Sequence, residues 1–107
     1  MARKEVNVRA SYLELPADFE DYGWEVEAKG WFSEARIIAS GVRYRINFYD
    51  QARLSQEIQV EIARGGIFFE PNLVIVSAVT RANMESAATE LVQSGQVHSL
   101  LAEGKVD

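Results

Sequence analysis

The sequence predicts an α+β domain: an antiparallel β-meander at about residues 23–49, then a β-α-β-α C-terminal half whose two helices pack on one face of the sheet. Three observations predict it. Apolar and polar residues alternate in three consecutive runs separated by X-Gly pairs. The period then lengthens to helical spacing after Asp50 and again after Thr80. Finally, 107 residues with 48% hydrophobic and 25% charged side chains suit one globular domain, 1–107, with its own core.

The elements follow in chain order. Val6, Val8 and Ala10 alternate with Glu5, Asn7 and Arg9, the mark of a half-buried strand that runs on through Tyr12 to Leu15. Pro16 to Gly23 breaks the pattern and reads as an acidic loop or a short helical turn. Trp24, Val26 and Ala28 then alternate, as do Trp31, Ser33, Ala35, Ile37 and Ala39, and after them Val42, Tyr44, Ile46 and Phe48. Lys29-Gly30 and Ser40-Gly41 stand where two tight turns belong, because glycine supplies the positive φ that such hairpins need.

Two-residue turns fix the registers. The first hairpin pairs Ala28 with Trp31, Val26 with Ser33 and Trp24 with Ala35; the second pairs Ala39 with Val42, Ile37 with Tyr44, Ala35 with Ile46 and Ser33 with Phe48. Both turns, placed independently, put the apolar sets on one face, whereas a one-residue slip would separate them.

Asp50 is an N-cap for a helix from Gln51 to Arg64, with Leu54, Ile58 and Ile62 on its buried stripe and Gly65-Gly66 as its stop. Ile58, Val60 and Ile62 also alternate, but the Gln, Glu, Ala and Leu content favours helix. Leu73 to Val79 lacks polar alternation and reads as a strand covered on both faces. With the Phe48 strand it forms a parallel crossover. Thr80 caps a second helix bearing Met84, Ala87, Ala88, Leu91 and Val92, which ends at Gly95. The expected core is Trp24, Trp31, Ile37, Tyr44, Ile46, Phe48, Ile58, Ile62, Val74, Val76, Leu91 and Val92.

Composition excludes several chemistries. With no cysteine there is no disulfide, thiolate nucleophile or cysteine-ligated metal. The single histidine, His98, has no second His or Cys at ligand spacing. No Gly-x-Ser-x-Gly elbow surrounds a serine, and Gly65-Gly66 lacks the Lys-Ser/Thr of a phosphate loop. Asp18, Glu20 and Asp21 lack the further ligands of a calcium loop and read as a solvated turn. No cofactor, metal or catalytic residue is assigned. The net charge of −5 disfavours nucleic acid. No apolar run is long enough to cross a bilayer, and no apolar stretch follows the basic N-terminus, so a cytoplasmic location is expected.

The outward face of the meander is the candidate site. It carries Phe32, Arg36, Ile38, Arg43 and Arg45 together with Glu25, Glu27, Glu34 and Asn47. Arg36 falls opposite Arg45, a like-charge pair that needs neutralising. One solution is a surface ion-pair lattice using Glu34. The other is contact with a protein partner or a second copy of the chain, since arginine and aromatic side chains together are an interface composition. The expected function is therefore a non-enzymatic protein-interaction or self-associating domain. The alternative is a small-molecule binder or enzyme with a pocket between the aromatic sheet face and the helices.

Overall fold

The computed structural model describes residues 11–106, so the strand expected at Val6–Ala10 lies outside the described residues. In order, the elements are β1 (Leu13–Glu14), α1 (Phe19–Lys29), β2 (Trp31–Ala39), β3 (Val42–Tyr49), α2 (Gln51–Ala63), β4 (Leu73–Ile75), α3 (Arg81–Gln93), a 3-10 turn (Gln96–Ser99) and β5 (Gly104–Lys105). This is an α+β fold. The strand order is β1-β2-β3-β4, antiparallel except for the parallel β3–β4 pair, and β5 also pairs with β3. The parallel crossover expected between the Phe48 and Leu73 strands is therefore present, with Phe48 beside Val74. No helix of the described residues is long and apolar enough to cross a membrane.

Beside its turn the second hairpin forms in the expected register, but the expected Ser33–Phe48 pair is replaced by Phe32 with Phe48. Ala39 pairs with Val42, Ile37 with Tyr44, Arg36 with Arg45 and Ala35 with Ile46. Its turn places Ser40 at φ 52 and Gly41 at φ 76, the two positive values of a mirror-image two-residue turn.

The first strand of the expected meander is instead a helix. Phe19, Tyr22 and Val26 lie at i, i+3 and i+7, and Phe19 and Val26 are buried while Trp24 is 70% exposed. Only Val26 of the alternating set faces the core. Lys29-Gly30 is the helix stop: Gly30 is left-handed at φ 73, and its amide donates to the carbonyls of Val26 and Glu27.

Farther along β2 the register shifts at Ser33 and Glu34. Phe32 sits opposite Phe48, and Ala35 opposite Ile46, so two residues of β2 face one of β3. This β-bulge moves Phe32 from the outward face, where simple alternation places it, into the core.

The core lies on one face of the sheet. Phe32, Ala35, Ile37, Ala39, Tyr44, Ile46 and Phe48 meet Phe19 and Val26 of α1, Met84 and Ala88 of α3, and Val79 and Val97. The helices covering it are thus α1 and α3, not the expected pair of α2 and α3. Thr80 caps α3 as expected, its hydroxyl accepting from the Asn83 amide, and Ala87, Leu91 and Val92 pack at the core's margin. Asp50 caps α2 through the Arg53 amide at 2.8 Å. Of α2's stripe, however, only Leu54 is buried, and Ile58 and Ile62, expected in the core, are exposed. The strand expected through Val79 keeps only Leu73–Ile75, and the exposure of Ile75 shows an edge strand rather than a doubly covered one.

Candidate functional site

The outward sheet face holds Arg36, Ile38, Arg43 and Arg45 as expected from alternation, without Phe32. The like-charge pair is relieved by carboxylates from distant segments. Arg36 donates through Nε and Nη2 to the two oxygens of Glu103, at 2.8 and 3.1 Å. Arg43 makes the same fork onto Glu14, at 3.0 and 3.5 Å. Glu34 contributes its backbone carbonyl to Arg36, not a carboxylate to Arg45. Ile38 is half-buried, with its amide donating to Tyr12.

Glu103 responds electrically to this arrangement. The hydrogen bond from Arg36 is the largest cause that holds its carboxyl below the ordinary carboxylate value. A depressed carboxylate stabilises the fold above its unfolded pKa, and that contribution is lost as pH falls through the folded value. The window therefore lies below about pH 4.3. In an acid titration followed by NMR, the backbone amides of residues 103–105 should report a midpoint below that value. A midpoint at the ordinary value would show that the ion pair does not persist in solution.

Arg45 differs from its neighbours. Its Nε donates to the Ser33 carbonyl at the bulge, at 2.8 Å. Among the described residues it has no carboxylate partner, and its Nη groups make no hydrogen bond. It opens onto a cleft of about 530 Å³ whose other walls include Trp31, Ser33, Asn47, Glu70, Asn72 and Leu101.

Asn72 builds that cleft. Strand β2 occupies one edge of β3; on the other, β5 pairs at Val42 and Arg43 and β4 at Asn47 to Tyr49, leaving a gap between them. Asn72 spans it, its Nδ2 donating to the carbonyls of Arg45 and Leu101 and its Oδ1 accepting from the Leu101 amide. Its φ of 52 is a left-handed value that asparagine tolerates better than most residues.

Glu70, on the cleft wall, accepts the Tyr49 hydroxyl on Oε2 at 2.7 Å. Burial first, and then this bond, push the Tyr49 phenol well above its ordinary pKa, so it stays a donor. Two buried polar atoms of cleft residues have no partner: Trp31 Nε1 and Glu70 Oε1.

A second surface lies along α2 and the segment after it, an arm that the sequence placed partly in the core. Ile58, Val60, Ile62, Ile67 and Phe69 are all exposed, Ile67 and Phe69 by more than three-quarters. Between these last two, Phe68 anchors the segment with its ring edge-on to Tyr49 at 6.3 Å. The helical charges are paired within the helix or at its end, Arg53 with Glu57 and Arg64 with Glu61. His98 is exposed, and among the described residues no three His, Asp or Glu side chains are grouped to hold a metal.

No family model, curated protein or solved structure matches the chain.

Proposed function

We propose that the protein is a self-associating interaction domain whose contact surface is the arm formed by α2 and residues 64–72. One observation carries this reading: Ile58 and Ile62 stand exposed on one face of α2, and Ile67 and Phe69 stand exposed just beyond its end. Together these four expose on the order of 400 Å² of largely apolar surface, against about 300–600 Å² for a monomer's largest patch. A patch of that size is commonly a functional one.

A second copy is the occupant that fits. A stable interface buries about 800 Å² on each partner, and homodimer interfaces are about 65% apolar, which asks for an apolar share close to what the arm offers. The chain as a whole carries −5, but the charges of α2 and its C-cap cancel, so two arms approach without net repulsion along the helix. Two-fold symmetry lets each Ile58/Ile62 stripe cover the other.

The outward arginine face contributes less to this reading than the sequence suggested, because Phe32 is in the core and Arg36 and Arg43 already have carboxylates. Light scattering on the full chain should therefore give twice the chain mass. Ile62→Glu with Phe69→Glu should give the monomer with unchanged circular dichroism, since both side chains lie outside the core. A wild type that stays monomeric at about 100 μM, where a Kd in the micromolar range would register, overturns the reading.

A further inference from the structure

We propose that two copies of the chain join through the open edge of β4, paired antiparallel with the same strand of the partner, so that one sheet runs across both; this deepens the self-association reading and rests on it. Strand β4 pairs on one side only, with β3. The Asn72 carbonyl accepts from the Asn47 amide at 3.0 Å, and the Val76 amide donates to the Tyr49 carbonyl at 2.9 Å. Residues 72, 74 and 76 therefore turn their backbone groups toward β3, and Leu73 and Ile75 turn theirs the other way. Among the described residues nothing pairs with that side, and Ile75 is 55% exposed. Nor is the edge guarded, since Leu73 to Val79 holds no charged residue and no proline.

A row of backbone donors and acceptors is met by another extended chain. This row is self-complementary. With a two-fold axis at Val74, Leu73 lies opposite the partner's Ile75, and each such pair exchanges both of its N–H···O bonds. The edge also adjoins the arm. Ile75 sits beside Tyr49 in the sheet, and the Tyr49 ring meets Phe68 edge-on at 6.3 Å. Phe48 and Val74, their neighbours, face the core, so Tyr49 and Ile75 lie on the opposite face. Antiparallel pairing keeps each face of the sheet on its own side, which brings both arms out on one face of the joined sheet, where each can cover the other. Area points the same way. The arm offers on the order of 400 Å² of apolar surface, whereas a homodimer interface of about 800 Å² per copy asks for roughly 500 Å², and Ile75 supplies part of the remainder.

The test is hydrogen exchange on the intact chain, resolved at the Leu73 and Ile75 amides by fragmentation in mass spectrometry, at concentrations above and below the dimer Kd. In the dimer both amides should exchange roughly tenfold or more slowly than in the monomer. Ile75→Pro, which removes an outward amide and no bond to β3, should raise the dimer Kd roughly tenfold or more with unchanged circular dichroism. A dimer in which both amides exchange at monomer rates overturns the edge pairing and leaves the arm reading standing. A chain that stays monomeric at about 100 μM overturns both. Protection that does not change on dilution means that a segment of the same chain covers the edge, which overturns the proposal as well.

Discussion

Replacing Phe48 with Ala should lower the unfolding free energy by about 3–5 kcal/mol, the range for truncating an enclosed aromatic side chain. Phe48 is fully buried, faces Phe32 across the bulge, and lies beside Val74 of β4. It therefore touches both halves of the fold at once, and the cavity left by Ala cannot collapse without moving the sheet. Trp24→Ala is the matching control. Its ring is mostly in water, so the loss should stay within about 0.5 kcal/mol, as for other surface changes. Urea melts of the two variants, compared at constant m-value, measure both. A Phe48 loss below about 1 kcal/mol, or a Trp24 loss equal to it, would contradict this assignment of faces.

The contrast between these aromatics shows which features were legible in the sequence. The β2–β3 hairpin was readable because its information is local: Ser40-Gly41 sets the turn, and alternation on both sides sets the register. The caps at Asp50 and Thr80 were readable for the same reason. Residues 19–29 were not, because they satisfy two periods together. Trp24, Val26 and Ala28 alternate, while Phe19, Tyr22 and Val26 recur at helical spacing, and Lys29-Gly30 serves equally as a hairpin turn or a helix stop. The bulge hid Phe32. A Ser33 carbonyl that accepts from Arg45 leaves no mark in the spacing of side chains.

Amphipathicity also has a limit that α2 makes plain. The Leu54, Ile58 and Ile62 stripe identifies a face that water disfavours, but not what covers it, and the fold buries only Leu54. The cleft was illegible for a different reason. Trp31, Arg45, Glu70, Asn72 and Leu101 are dispersed along the chain, and the β2–β3 pairing, the Tyr49–Glu70 bond and the Asn72 bridge together bring them to one cleft. Of the candidate residues read from sequence, Arg45 is the one that reaches this site. Arg36 enters it indirectly, by holding Glu103.

Gly30→Ala should cost about 3 kcal/mol, from two causes that act at one atom. Gly30 has φ +73, and holding an L-residue in the left-handed region costs about 1–2 kcal/mol. A Cβ there would also lie 2.5 Å from Asp50 Oδ2 and 2.7 Å from Oδ1. The Asp50 carboxylate cannot yield freely, since Oδ1 holds the Arg53 amide as the cap of α2, a contact worth on the order of 1 kcal/mol. The Asp50 amide meanwhile donates to the Gly30 carbonyl at 2.9 Å, so the end of α1 and the start of α2 are tied at this point. One methyl group thus strains the stop of one helix and displaces the cap of the next. Asp50→Ala alone should cost only about 1 kcal/mol, through the lost cap. In that background the collision is gone, and Gly30→Ala should cost only its backbone term. Urea melts of the wild type, both single variants and the double variant close the cycle, which should show a coupling of about 1 kcal/mol. Strict additivity would mean that Asp50 moves aside without loss, and that the tie between the two helices lies in the backbone bond alone.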